Sequence, residues 1–200
     1  MKKKIEVTVP KDLYSIPLKH YQQFLKEFEN IEEITDHTSS LKMLEIFCGL
    51  PIKDGMNVKM SDVDLIVNKL NLVLNQKPSL IRKFKLGNLE FGFIPELRDL
   101  TFGEFIDVEN NITDWNTIHK AMAVLYRPIK QKFKDKYTIE DYDGTHYAEI
   151  MRDMPSSVAL SCILFFYTLE TELLKVTLNY SLKKKAKLEK KVSEQMKILE

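Results

Sequence analysis

Side chains able to do chemistry are concentrated in an acidic loop and in a few scattered histidines and cysteines. The loop, residues 140–144 (EDYDG), places carboxylates ahead of a glycine, as calcium-binding EF-hand loops do. If the loop is aligned on Gly144, the first and twelfth ligand positions fall on Ile139 and Ile150, which cannot bind the ion. We therefore interpret the loop as a solvated Asp-Gly turn and expect no calcium site.

Two histidines have acidic residues nearby. His146 and Glu149 are three residues apart, a spacing that puts both side chains on one face of a helix. A carboxylate-bridged dimetal site would need a second such pair, and the sequence has no Glu-x-x-His and no His-Glu-x-x-His motif. His119 lies beside an apolar helical stripe, within reach of the acidic residues between 107 and 114. We predict structural roles for both histidines and no metal or cofactor.

Nucleophilic catalysis is not indicated by the cysteines. Cys48 and Cys162 lie within apolar helical runs, residues 41–50 and 158–169, which disfavour the thiolate form. Buried free thiols fit a reducing compartment. The sequence contains neither a Gly-x-Ser-x-Gly elbow nor a phosphate-binding glycine-rich loop. We therefore predict no catalytic residue and a protein that is not an enzyme.

Charge is balanced overall but not along the chain. Thirty basic and twenty-nine acidic residues give a net charge of +1, which would not gather nucleic acid or an anionic membrane. Residues 181–200 carry seven lysines and three glutamates, net +4, and leave −3 for residues 1–180. Lys183, Lys184 and Lys185 open this basic stretch and are predicted to contact a partner. Without interleaved aromatics, the stretch is typical of a solvated helix end, and nucleic acid is not the expected partner.

No membrane segment is predicted. The N-terminal lysines are not followed by the apolar core of a signal peptide, so secretion by that route is not expected. The most apolar segment, residues 158–169, is shorter than the roughly 18–20 residues that a membrane span needs. We interpret it as a buried helix.

The apolar periodicity predicts a mainly α fold with a small β component (α+β). A single mostly helical domain is expected over residues 1–180, followed by a lysine-rich helical extension over 181–200. Residues 5–9 alternate as a short strand does, and residues 130–144 are expected to be turn-rich. The predicted helices are 18–28, 40–50, 61–77, 101–109, 113–127 and a long C-terminal helix from about residue 156.

A β-hairpin is predicted around the dipeptide Gly87-Asn88. A two-residue turn there pairs residues whose numbers sum to 175, which matches aromatic with aromatic, leucine with leucine and lysine with glutamate. The pairs are Phe84 with Phe91, Leu86 with Leu89, and Lys85 with Glu90. Downstream, Thr101 and Glu104 have the spacing of a capping box.

Four segments of this region resemble parts of small bacteriophage morphogenesis proteins. They are residues 44–51 (LEIFCGLP), 91–95 (FGFIP), 101–107 (TFGEFID) and 119–128 (HKAMAVLYRP). The proteins they resemble are tail-assembly chaperones and minor virion structural proteins. The resemblance implies a location in the virion or the host cytoplasm. It also implies that the partners are other phage structural proteins or further copies of this chain in a ring or oligomer.

The expected function is therefore a bacteriophage virion or assembly protein that acts through protein contacts. Phe91, Phe93, Phe102 and Phe105 are the predicted partner-binding residues, and we expect them to divide between core and interface because the hairpin and a short helix cannot cover them all. An alternative is a phage-encoded protein that binds nucleic acid or a host factor through its basic tail. A small hydrolase or metal enzyme built around His119 and His146 is a third hypothesis.

Overall fold

The protein is described by a computed structural model that covers residues 6–29, 36–134, 136–144 and 146–196, with side chains for all of these except 29, 36 and 186–196. The predicted α+β class is confirmed, since 59% of the chain is helical and a four-stranded antiparallel sheet accompanies the helices. Within the described residues the helices are α1 (Leu18–Glu29), α2 (Asp36–Cys48), α3 (Ile52–Gly55), α4 (Met60–Leu74), α5 (Phe102–Ile112), α6 (Ile118–Leu125), α7 (Ala148–Met151) and α8 (Ser156–Met196).

The strands follow one another in space as they do in sequence. They are β1 (Lys83–Leu86), β2 (Leu89–Phe93), β3 (Tyr126–Phe133) and β4 (Lys136–Ile139), in the order β1-β2-β3-β4. The predicted first hairpin is confirmed in every pair, with Phe84 opposite Phe91, Lys85 opposite Glu90 and Leu86 opposite Leu89. Gly87 has a φ of +58° in the turn, a conformation that glycine adopts without steric cost.

A second hairpin, β3–β4, occupies residues that the sequence predicted to be turn-rich. The charged side chains of residues 130–136 concealed it, because most of β3 beyond Pro128 faces solvent and carries little apolar signal. Its tip is held against β2 by Tyr137, whose hydroxyl donates to the carbonyl of Phe93 at 2.7 Å. The Tyr137 ring covers Gly92, where a Cβ atom would come within 2.4 Å of the ring. The glycine therefore allows the second hairpin to pack closely.

Several predicted elements differ from the structure. The strand expected at residues 5–9 does not form in the described residues 6–10, and Ile5 lies outside the described residues. The helix expected from Thr113 begins at Ile118 instead, because residues 114–117 form a turn in which Asp114 accepts a hydrogen bond from the backbone of Asn116 at 2.8 Å. Conversely, α5 continues to Ile112, beyond the end expected at residue 109.

Helices α1, α2 and α4 enclose the N-terminal part of the core. Its buried residues are Leu13, Ile16, Met43, Ile46, Phe47, Leu70 and Val73, next to a smaller cluster of Leu44, Leu50 and Val63. The start of α1 is tied to the start of α8 by backbone hydrogen bonds, including Leu18 N to Met154 O at 2.8 Å and Ser156 N to Ile16 O at 2.8 Å. Distant parts of the sequence thereby join in one core.

The chain divides into two compact units, Met1–Cys162 and Ile163–Glu200. The division lies earlier than the end of the domain predicted at residue 180, because it follows contacts, whereas the prediction followed the change in charge. In the first unit, Val158, Ala159 and Cys162 of α8 are completely buried. The second unit consists of the remainder of α8 and the residues that follow it.

Part of α8, Ser156–Lys185, is long and apolar enough to cross a membrane when judged by length and composition alone. This apolar stretch is longer than the one predicted from the sequence at residues 158–169. Its first two turns are buried in the first unit. Residues 163–182 are interrupted by Glu170, Glu172 and Lys175.

Candidate functional site

Two of the predicted partner-binding residues, Phe91 and Phe93, lie in the core. The ring of Phe91 stacks on Phe84 with centroids 5.4 Å apart, and Phe93 meets Tyr126 edge-on at 5.2 Å. Tyr126 is buried as well, and its hydroxyl donates to the carbonyl of Ile81 at 2.8 Å. In the folded chain Phe91 and Phe93 are therefore closed to a partner, and they stabilise the sheet instead.

The other two, Phe102 and Phe105, lie on the outer side of α5. Phe102 is 78% exposed, Phe105 is 51% exposed, and Ile106 beside them is also exposed. The three residues form what we call the α5 patch. Their spacing of three and four residues places them on one face of the helix, while Glu104 and Val108 on the other face are buried. The helix thus presents a continuous apolar surface to solvent.

A buried ion pair fixes α5 to the sheet. Arg127 Nη2 on β3 lies 2.8 Å from Glu104 Oε1, and both side chains are more than nine-tenths buried. The second carboxylate oxygen of Glu104 accepts from the backbone N–H of Thr101 at 2.7 Å, which completes the predicted capping box. The capping box predicted from Thr101 and Glu104 is therefore confirmed. The α5 patch therefore has a fixed support, because the first turn of its helix is tied to β3 and capped.

An open cleft of about 760 Å³ lies beside this ion pair. Two of its acidic side chains have partners: Asp141 pairs with Lys130 at 2.8 Å, and Glu140 accepts from the hydroxyl of Tyr147 at 2.9 Å. These two carboxylates of the acidic loop, residues 140–144, are thus engaged in local contacts. Among the described residues no group of three or more His, Cys, Asp or Glu side chains is arranged to hold a metal ion.

Many of the exposed large apolar side chains in the described part of the chain lie within residues 163–182 of α8, which we call the α8 segment. Most of its large side chains beyond residue 166 are exposed to solvent by more than half. These exposed residues are Tyr167, Leu173, Leu174, Val176, Leu178, Tyr180 and Leu182. A helix that is apolar around most of its circumference is typical of a helix buried on several sides.

The lysines predicted to contact a partner follow the α8 segment directly. Lys183, Lys184 and Lys185 are all exposed. Successive residues of a helix point about 100° apart, so the three ammonium groups spread around the helix and do not form one stripe. This arrangement extends positive charge from the end of the α8 segment in several directions.

His119 is buried between α1, α6 and α7. Its Nδ1 accepts from Gln22 Nε2 at 3.2 Å, and its Nε2 lies 3.9 Å from Glu149 Oε1, too far for a hydrogen bond. Burial lowers the pKa of His119, the nearby Arg152 lowers it further, and Glu149 opposes them. Burial therefore keeps the imidazole neutral. The acidic residue beside the ring is Glu149, not one of the acidic residues between 107 and 114 that the sequence suggested.

Glu149 and His146 each contact a different neighbouring side chain. The Glu149 carboxylate lies 3.0 Å from Arg152 Nε, while the ring of His146 meets Tyr147 edge-on. The cysteines also show no activation. Burial raises the pKa of Cys48 to about 11 and raises that of Cys162 as well. Both thiols are free and are kept protonated at neutral pH.

The α8 segment was not predicted from the sequence, because the apolar run was interpreted as ending at Leu169. The signal was present in the positions that follow, because apolar residues recur every one to four residues up to Leu182. What the sequence could not show is that these side chains are exposed, since exposure depends on where the other elements pack.

Comparison of the chain with protein-family models, with curated proteins and with solved structures finds no match.

Proposed function

We propose that this chain is a non-enzymatic bacteriophage virion or assembly protein, either a virion component or a tail or head assembly chaperone, that acts by binding other proteins. The observation that carries the proposal is the α8 segment, a helix of about five turns with apolar side chains exposed on several sides. Monomeric soluble proteins rarely expose contiguous apolar patches beyond a few hundred Å². Such a helix gains stability when a partner covers it.

A protein partner suits the α8 segment better than lipid does. The first two turns of the apolar stretch are buried in the first unit, so they cannot contact acyl chains. The remaining residues include Glu170, Glu172 and Lys175. Each charged side chain costs about 2.5–3.5 kcal/mol near the centre of a bilayer, whereas a protein interface can leave the same side chains at its solvated rim.

The α5 patch supports the proposal as a second, independent surface. Phe102, Phe105 and Ile106 are aromatic and aliphatic residues of the kinds that anchor interfaces. The Glu104–Arg127 pair holds their helix in place before any partner arrives, which lowers the entropic cost of binding. Two exposed apolar surfaces on one small chain are suited to a protein that links or escorts other subunits.

The resemblance of residues 44–51, 91–95, 101–107 and 119–128 to phage morphogenesis proteins supports the phage context. The chemistry-bearing side chains are consistent with it, because His119 is held neutral by burial and both thiols have raised pKa values. These observations favour packing roles for the residues on which an enzyme hypothesis would depend.

The proposal is tested in host cells that produce particles from the genome encoding this chain. We compare wild type, Phe102→Glu and the matched control Phe133→Glu, since Phe102 and Phe133 are both 78% exposed but lie on different elements. We expect Phe102→Glu to reduce the particle yield at least tenfold and Phe133→Glu to leave it unchanged. Mass spectrometry of purified particles then separates a virion component, which is retained, from a chaperone, which is absent. Normal yield after deletion of the chain, together with its absence from particles, would overturn the proposal.

A further inference from the structure

The sheet and helix α5 carry opposite net charges, although they alternate along the sequence. Residues 82–94 and 126–139, which contain the four strands, hold eight basic and two acidic residues, a net charge of +6. Residues 95–114, which contain α5, hold one basic and six acidic residues, a net charge of −5. The overall charge of +1 therefore conceals two regions of strong and opposite charge in the first unit.

Three exposed lysines of the sheet form a compact group, which we call the lysine cluster. Lys85 lies directly opposite Glu90 in the β1–β2 register, and the ammonium group of Lys132 on β3 contacts the Glu90 carboxylate. The hydrogen bond from Lys132 lowers the pKa of Glu90 most, and the charges of Lys85 and Lys83 lower it further. Lys83 Nζ also lies 5.6 Å from the ring centroid of Tyr137. Since one carboxylate faces three ammonium groups, two positive charges are not balanced within the cluster.

The α5 patch presents the groups that lysine side chains bind. Phe102 and Phe105 offer exposed aromatic rings. Glu109 is exposed and follows Phe102 by seven residues, which places it on the same face of the helix. Asp99, also exposed, ends the short helical turn that precedes α5. An aromatic face attracts an ammonium group and the lysine stem packs on the ring, so rings bordered by carboxylates suit lysines.

Within one chain the lysine cluster and the α5 patch do not cover each other. The three lysines are exposed, and so are both phenylalanine rings of the patch. A contact inside the chain therefore satisfies neither surface. Two different surfaces that match each other in charge and lie on the same chain can be joined when copies associate head to tail.

We propose that copies of this chain associate head to tail, with the lysine cluster of one copy on the α5 patch of the next. The inference rests on the proposed function, because it names a second copy as the protein that covers the α5 patch, and it leaves the α8 segment to other proteins. In this contact the lysine stems cover Phe102 and Phe105, and the ammonium groups lie toward Asp99 and Glu109. Because each copy keeps one unused surface, the assembly closes as a ring or continues as a filament.

Self-association is measured by sedimentation velocity and light scattering. The parent is the full chain with Leu173→Glu and Leu174→Glu, so that contacts through the α8 segment do not contribute. At low salt we expect its average mass to rise at least twofold between about 5 and 200 μM, the range in which weak specific contacts saturate. At about 1 M salt, where charges are screened beyond about 3 Å, the mass should decrease toward that of the monomer.

Two variants of the parent locate the contact. Lys83→Glu/Lys85→Glu reverses the charge of the lysine cluster, and Phe102→Ser/Glu109→Gln removes a ring and a carboxylate from the α5 patch. Each variant alone should be monomeric. Mixed in equal amounts, they should form a 1:1 complex that does not grow further, because the first keeps its patch and the second keeps its cluster.

The matched control is Lys69→Glu/Lys77→Glu, which changes the charge by the same amount at two exposed lysines outside the sheet and α5. This variant should associate as the parent does. Circular dichroism checks that all chains keep the same helix content. If the reversed cluster prevents folding, Lys83→Gln/Lys85→Gln takes its place, and formation of the 1:1 complex itself shows that both variants are folded.

A parent chain that stays monomeric at low salt would overturn the inference, as would association that persists in either variant alone or a mixture that stays monomeric. Loss of association in the control would show that net charge governs it, and would overturn the inference too. A monomeric chain whose Phe102→Glu variant still lowers particle yield would assign the α5 patch to another protein. In that case the inference fails while the proposed function stands.

Discussion

The ion pair between Glu104 and Arg127 is the contact on which the position of the α5 patch depends. Replacing Arg127 with methionine leaves the Glu104 carboxylate buried without its cation, and such changes cost about 3–5 kcal/mol. We expect that loss in the free energy of unfolding measured with urea. The double variant Glu104→Leu/Arg127→Met should recover much of it, because no charge is then left buried.

A comparison with an exposed pair provides the control. Lys130 and Asp141 are joined at 2.8 Å, but both side chains are exposed, and solvent screens the attraction. Lys130→Met should leave the unfolding midpoint nearly unchanged. If Arg127→Met were equally harmless, the pair would not be what holds α5 on the sheet.

The burial of His119 is predicted to make the free energy of unfolding depend on pH. Its pKa is lowered in the folded state by burial first and by Arg152 second, and burial also lowers the pKa of His20, so folding disfavours protonation of both rings. Above the unfolded pKa of about 6.5 both states are neutral, and these groups do not affect stability. As the pH falls below that value the unfolded state binds protons that the folded state does not, and stability decreases.

We therefore expect the free energy of unfolding to decrease between pH 7.5 and pH 5.5, and to decrease less in His119→Gln. His20→Gln serves as the companion variant, and the double variant should show the smallest change. An identical pH dependence in wild type and both single variants would show that these rings do not carry the effect.

At the scale of elements, the features that could be predicted from the sequence are those set by residues close together in the chain. The features that could not be predicted depend on long-range packing. The β1–β2 register followed from Gly87-Asn88 and the capping box of α5 from Thr101 and Glu104, because each depends on residues fewer than ten positions apart. The β3–β4 hairpin was missed, since its exposed residues are charged and it is fixed by Tyr137 reaching the carbonyl of Phe93. The exposure of Phe102 and burial of Phe93 likewise depend on elements distant in sequence.

The substitution Gly92→Ala tests how closely the two hairpins pack. An added Cβ would lie 2.4 and 2.9 Å from ring carbons of Tyr137 and 3.0 Å from Ile129, so the ring must move and its hydrogen bond to Phe93 weakens. Gly92→Ala should destabilise the protein by about 1–3 kcal/mol, as overpacking commonly does. Gly103→Ala is the opposite control, because no atom lies within 4 Å of its Cβ and alanine favours helix by about 0.5–1 kcal/mol. Equal melting temperatures for the two variants would contradict this account.

The substitution Phe91→Ala measures how much the core of the sheet contributes to stability. Its ring is completely buried and stacks on Phe84. Replacing Phe91 with alanine should cost about 3–5 kcal/mol in chemical denaturation. Phe133→Ala, on an exposed ring at the end of β3, should cost far less. A small effect of Phe91→Ala would mean that the hairpin contributes little to the fold.

Removal of residues 181–200 tests the boundary predicted from charge. Seven lysines and few apolar residues cannot bury enough surface to offset the ordering of this segment. The chain that ends at Tyr180 should therefore unfold cooperatively within a few degrees of the full-length melting temperature. An unfolded product would show that the extension packs against the body.

At the scale of the whole molecule, the protein is a folded unit with an α5 patch and a second unit with an apolar helix, both exposed. The remaining alternative is that the basic extension binds nucleic acid or a host factor. A mobility shift on mixed DNA that weakens steeply with salt and disappears when the chain ends at Tyr180 would favour nucleic-acid binding. We expect no such shift at 150 mM salt.

The central claim is that exposed apolar surface on α8 is covered by protein when the chain acts. Its most direct test is particle production with Leu173→Glu/Leu174→Glu, which places two charges among the exposed apolar side chains of the α8 segment. The account predicts a folded chain, with wild-type circular dichroism and melting behaviour, that supports few or no particles. Wild-type particle yield from this folded variant would contradict it.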